Sequence, residues 1–366
     1  MTSQTKIDFF YKSDTNNKKY QLKRYFYLIW ENVYRPNVSA YWLENKPEKI
    51  NFIELVHCNY IKKGYYFYLC GWFRNNDDKE YVLMKEKMYK NIHYLKSHLQ
   101  KSIRNQDDLL AIPTCFHLMK LDICELLRRL PIIMLEDLFL HESMSTIIWF
   151  MVAKSSCPTF KFKKYMYEWL LGTIFVMCKI DDFDLFEAKN TTEKNELYEK
   201  EILNIYQLLD KYNDLEKHQY SLLYSLHIRI AYGGMKGDMN MIKRFIDLWE
   251  KRFRSESGSI VINTMKVRPI SLYITDLELG DWNLAAIDFH CNPRFLEFIQ
   301  KKYNDLSSED IKNIVWYNSS SINKRLEDKK YDKYKKDLEH KYNVSKWLEI
   351  KDFVIKTQKY LLEAGY

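Results

Sequence analysis

Between residues 95 and 151 apolar side chains return every three or four positions, the period of one helical face. Leu95, Leu99 and Ile103 form one stripe, Leu121, Cys124 and Leu127 a second, and Leu135, Leu138 and Phe139 a third. The same period predicts helices over residues 85–102, 142–153 and 160–178, a helical hairpin over 193–212 and 217–232, and a helix over 239–253. The third of these starts amphipathic, with Lys161, Lys163 and Lys164, and then turns wholly apolar. From residue 305 onward the chain reads as helical and densely charged. Upstream the pattern differs. Residues 51–60 and 64–74 are rich in β-branched and aromatic types, Asn75-Asn76-Asp77-Asp78 makes a turn, and residues 80–84 return. Residues 21–46 are aromatic and mixed. The expectation is a mainly α fold: a helical body with a small N-terminal antiparallel β meander. Its divisions are an arm over 1–20, a small α+β module over 21–90 and a helical domain over 91–366.

Composition agrees. In 366 residues, 9 glycines and 7 prolines favour long helices over turn-rich β architecture. A hydrophobic share of 46% is enough for a core. The longest apolar run, residues 169–178, is too short to span a bilayer, so no membrane partner is expected. Seven cysteines without a Cys-x-x-Cys, most of them in apolar runs, read as buried free thiols of a reducing compartment. The N-terminus lacks the apolar stretch of a signal peptide. A net charge of +8 tilts toward an acidic partner such as nucleic acid.

The N-terminal arm carries a more specific pattern. Gln4, Ile7, Phe10 and Tyr11 stand in the order glutamine, aliphatic, aromatic, aromatic, followed by a polar linker. In one 3₁₀ turn residues three apart eclipse, so Ile7 and Phe10 form one apolar plug with Tyr11 beside it. This arrangement resembles a PCNA-interacting peptide, which implies a PCNA-type sliding clamp as partner. A local alternative is that these side chains pack on the body.

A second resemblance lies in the helical region. Lys101-Ser102-Ile103-Arg104, Leu109, Arg128-Arg129-Leu130 and Glu136-Asp137 resemble the C-terminal helical domain of the MgsA/RarA family of AAA+ ATPases, which includes the Werner-helicase-interacting ATPases. About fifty residues are covered, and Pro113 stands where the family has a continuous helix. There the segment belongs to a clamp-loader-like oligomerisation domain, so the likeness implies a replication context and is compatible with a homo-oligomer. With it goes an intracellular location, in the nucleus or at a cytoplasmic site of DNA replication. ATPase activity does not follow, because the glycine cluster Gly233, Gly234 and Gly237 lacks the phosphate-loop arrangement. Those glycines read as the end of one helix and the start of the next.

Arg128 and Arg129 lie about 100° apart on a helix and cannot share one face. One is expected to pair with Glu136 or Asp137 across a turn near Pro131. DNA contact is expected from Arg104, Arg128, Arg129, Arg229, Lys236, Lys329, Lys330 and Lys333. Asp288, His290 and Cys291 are metal-ligand types in no standard zinc spacing, and an ordinary helix start at Asn292-Pro293 explains them as well. No catalytic residue, metal or cofactor is assigned. The reading is a non-catalytic DNA replication or repair accessory protein. One alternative is a metal-dependent nuclease using Asp276, Glu278, Asp281 and Asp288; another is a structural interaction protein with no DNA role.

Overall fold

Two stretches that alternate poorly in sequence, Tyr25–Trp30 (β1) and Val38–Leu43 (β2), are strands. With Phe52–Tyr60 (β3) and Lys63–Phe73 (β4) they form a four-stranded sheet in the order β2-β1-β4-β3. The computed structural model describes residues 24–31, 38–60, 63–74, 80–83, 91–184, 211–255, 262–272, 293–317, 323–326, 340–341 and 344–363. The sheet corrects the expected meander. β1 and β4 run parallel, while β1/β2 and β3/β4 are antiparallel. The expected return over 80–84 is not a strand at residues 80–83; there Tyr81 N–H donates to Phe162 O at 3.0 Å.

The helices are Ile92–Arg104 (α1), Asp108–Asp137 (α2), Met144–Ser156 (α3), Lys164–Lys179 (α4), Lys217–Ala231 (α5), Lys236–Arg254 (α6), Pro293–Lys302 (α7), Ser308–Tyr317 (α8) and Val344–Glu363 (α9). The mainly α expectation holds. Asn91 caps α1 by accepting from Tyr94 N–H at 3.1 Å, and Asp107 caps α2 through Leu110 N–H at 3.0 Å. Between α1 and α2, Gln106 sits at φ 57°, which lets the chain reverse tightly. α2 is two helices joined at a kink. Asp122 leaves helical geometry (φ −157°, ψ 99°), and its carboxylate accepts from Cys124 and Glu125 N–H at 2.9 and 3.1 Å, starting the helix afresh. The expected turn near Pro131 does not form; Pro131 lies inside the second half of α2.

One apolar core joins sheet and helices. Trp149 of α3 is its hinge. The buried indole N–H lies 3.0 Å from Phe26 O and 3.1 Å from Cys70 O, so it bridges the parallel strands β1 and β4. Phe150 and Phe160 pack edge to face on it, and Phe162 and Trp169 pack in turn on Phe150. The outer face of the sheet carries its own aromatic layer. Tyr25 stacks on Tyr68 at 5.3 Å, and the Tyr27 hydroxyl donates to Lys49 O at 2.8 Å. Six of the seven cysteines lie among the described residues, all free and all but the half-buried Cys124 fully buried.

Helices α7, α8 and α9 have a separate small core around Phe295, Ile314, Ile350 and Val354. A 3₁₀ turn, Lys324–Leu326, docks onto the larger body. No described helix is long and apolar enough to cross a membrane.

Buried histidines tie this packing to pH. His98 Nδ1 lies 2.8 Å from Thr114 Oγ1, joining α1 to α2. Burial, with Lys101 beside it, pulls His98 down to about 4. The fold therefore holds His98 neutral while the unfolded chain takes a proton near 6.5. Its contribution is whole above pH 6.5 and is lost as pH falls toward 4. Urea unfolding should show a loss of about 2–3 kcal/mol from this group between pH 7 and 4.5. His98→Gln should flatten that dependence, leaving the parts due to His227, which burial lowers to about 3, and to His141, which burial also lowers.

Candidate nucleic-acid interface

The second half of α2 carries Arg128 and Arg129 toward the loop between α5 and α6. α5 ends at Ala231, and Tyr232 and Gly233 N–H donate back to Ile228 and Ile230 O at 3.2 and 2.8 Å. Gly233 (φ 71°) and Gly234 (φ 153°) then occupy backbone geometry that side chains rarely adopt. The sequence reading of these glycines as a helix end and a fresh start matches this loop. The turn aims Gly233 O inward, where it accepts from Arg229 Nη1 at 2.7 Å and from Arg128 Nη2 at 3.2 Å. Arg229 Nε donates to Arg128 O at 3.0 Å, locking α5 to α2.

The electrostatics are uneven. Arg229 is 2% exposed and its described hydrogen-bond partners are carbonyls. Burial pulls its guanidinium down to about 10, with Arg128 and Arg129 adding to the shift and Asp238 opposing it. Arg129 donates to Gln100 Oε1 and has Asp238 at 3.6 Å. Among the described residues no carboxylate lies within ion-pair distance of Arg128: Glu125, one turn back, is held by Lys96 at 2.7 Å, although Arg128 helps to keep its carboxyl ionised. Lys236, first residue of α6, is exposed. No side chain caps this helix start, where Met235 is the N-cap. Cations thus outnumber carboxylates beside the amide-bearing end of a 19-residue helix.

Arg104 is not part of this group. It sits at the end of α1, where Nε donates to Asp137 Oδ1 at 2.6 Å. Asp137 is buried, and Gln100 Nε2 donates to Asp137 Oδ2 at 2.8 Å and to Glu136 Oε2 at 2.5 Å. Asp137 is thus met by Arg104 and Gln100, not by the arginine pair of its own helix, whereas Glu136 is bonded by Gln100 and stabilised electrostatically by Arg129 of that pair. Burial, reinforced by Asp137, raises the Glu136 carboxyl above its ordinary value; Arg129 and Arg104 draw it back.

Arg325 completes the arrangement. Its guanidinium donates to Ile180 O at 2.6 Å, Met177 O at 2.8 Å and Ile103 O at 3.1 Å, with Arg104 O and Asp137 O at 3.3 and 3.4 Å. Asn323 Nδ2 adds a bond to Asp137 O at 2.8 Å. One arginine therefore serves the C-terminal carbonyls of α1, α2 and α4, where the helix dipoles leave negative charge. In the sequence Arg325 is one basic residue in a run of them, and nothing there marks it as the half-buried partner of three helix ends. Gln100 and Asp238 likewise carry no signal beyond a polar residue near a helical stripe.

Gln4, Ile7, Phe10, Tyr11, Lys329, Lys330 and Lys333 lie outside the described residues, as do Asp276, Glu278, Asp281, Asp288, His290 and Cys291. Among the described residues no group of three or more His, Cys, Asp or Glu is placed to hold a metal ion. No family model, curated protein or solved structure matches this chain.

Replacing Arg325 by Met should strand the carbonyls it serves. We expect a loss of about 3 kcal/mol or more in urea unfolding. Limited trypsin digestion should then cut sooner between the body and α7–α9 than in the parent protein.

Proposed function

We propose that the protein is a non-catalytic accessory factor of DNA replication or repair. In this reading it holds backbone phosphate against Arg128 and Lys236, with Arg229, expected from the sequence to touch DNA but 2% exposed, adding positive potential from behind them. It docks on a PCNA-type sliding clamp through Gln4, Ile7, Phe10 and Tyr11. The observation that carries the DNA part is the gathering of Arg128, Arg129 and Arg229 at the uncapped start of α6, with Asp238 as the carboxylate in contact.

The physical case is one of charge and preorganisation. A phosphate needs cations and N–H donors that are already in place. Here Gly233 O and the Arg128 carbonyl fix two guanidiniums, and Gln100 with Asp238 fixes a third. Among the described residues none orders the exposed Lys236 side chain, which suits a mobile phosphate chain. The overall charge of +8 assists the approach of a polyanion. Contacts of this kind hold a backbone without reading sequence.

Fluorescence anisotropy of the full chain with labelled single- and double-stranded DNA tests this. Binding should weaken steeply as salt rises, and Arg128→Ala and Lys236→Ala should each lower the salt slope by about one. Salt-independent affinity, or variants that bind like the parent, would overturn the phosphate reading. The clamp contact is tested separately by calorimetry with a peptide of residues 1–14. It should bind a PCNA-type clamp, and joint Phe10→Ala and Tyr11→Ala replacement should abolish binding. A parent peptide that does not bind removes that half of the proposal.

A further inference from the structure

The two edges of the sheet are treated differently. β2 is covered: Trp42 N–H donates to Ser221 Oγ at 3.0 Å, and the Tyr220 hydroxyl donates to Trp42 O, so α5 occupies the outward backbone of that edge. β3, at the other edge, has no such backbone cover among the described residues. Over residues 52–57, among the described residues, no side chain or loop bonds to its outward backbone groups. An edge of this kind presents a row of donors and acceptors shaped for another strand.

Its outward side chains carry no charge, and the one charged residue of the strand, Glu54, faces inward. Residues 52–60 contain no lysine, arginine or proline, the residues that commonly blunt an edge. Glu54 is turned inward, where the Thr159 hydroxyl donates to it. The outward positions are Ile53, 40% exposed, Leu55, 48% exposed, and His57, which stacks on the ring of Tyr66 at 4.5 Å. Tyr66, on the neighbouring strand β4, is 55% exposed and extends this apolar strip.

We infer that β3 is a self-association edge, pairing antiparallel with β3 of a second copy about a twofold axis at Leu55. The occupant follows from self-complementarity. An antiparallel strand pair is the geometry a twofold axis generates. Centred on Leu55, it sets Ile53 against the partner's His57 and Glu54 against the partner's Val56, so no like charges meet. The exposed residues of both copies then fall on one face, because side chains alternate along a strand. Two four-stranded sheets become one continuous eight-stranded sheet, and the apolar strips of Ile53, Leu55 and Tyr66 join across the axis. This pairing does not depend on the DNA or clamp reading.

Light scattering on the eluting full chain at micromolar concentration should give the mass of a dimer. Leu55→Lys, at an exposed position, should halve that mass with an unchanged circular dichroism melt. Under mild oxidation Leu55→Cys should cross-link to itself. Leu109→Cys, exposed on α2 away from the edge, should not. A monomeric parent protein overturns the proposal and leaves the edge to a strand of another protein. So does a dimer that Leu55→Lys leaves intact, or cross-linking at Leu55→Cys no greater than at Leu109→Cys. The cysteine variant keeps the test decisive if Leu55→Lys fails to fold.

Discussion

The neutralisation of Asp137 is the constraint on which the rest of the body turns. A carboxylate with 3% of its side chain exposed costs several kcal/mol unless its charge and lone pairs are answered. Arg104 and Gln100 answer them from α1, which fixes the angle of the α1–α2 hairpin. Gln100 also takes hold of Arg129, so the same contacts orient the arginine face of α2. The backbone carbonyl of Asp137 then receives Asn323 and Arg325, and the C-terminal turn is drawn onto the body. Without a partner at this position, the helices would have to rearrange or the acid would have to take a proton.

A gradient of compensation runs along α2. At its end each buried charge is matched, and the groups there act as architecture. Between two and three turns earlier, Arg128, together with Arg229 of α5, rests on carbonyls, which satisfy donors but cancel little charge. The first site holds the fold together. The second stores positive potential near solvent, and storing it uses the rigidity that the first provides. The cost appears in the Arg229 guanidinium, which burial and two cationic neighbours drive below its ordinary value.

The helices were legible because their apolar stripes are long and periodic. Strands β1 and β2 were not, because Tyr25–Trp30 carries large apolar side chains on both faces. One face meets Trp149 and its neighbours, and the other lies in the aromatic layer with Tyr68, so no polar alternation was left to read. The parallel pairing of β1 with β4 joins residues more than forty positions apart, which no local pattern reports. Arg128, Arg129, Arg229 and the glycine loop were all visible as candidates, since a positive-φ turn demands glycine. Their meeting was not visible, because it depends on how α2 crosses α5. The partnership of Arg104 with Asp137 was hidden for the same reason. Asp122 did leave a trace: a lone acid between Leu121 and Ile123 is out of place in a continuous apolar helix, and it proves to be a cap.

The Arg325 contacts also impose an order of events. They join this residue to carbonyls 145 to 222 positions earlier in the chain. During synthesis, α1, α2 and α4 emerge and can pack long before the guanidinium that quenches their ends exists. Closing so long a loop is slow, and until it closes those carbonyls must be served by water. Wherever those helices form before this contact is made, three of their ends stay open until it is. Completion comes from the far end of the chain, as a latch rather than as a nucleus.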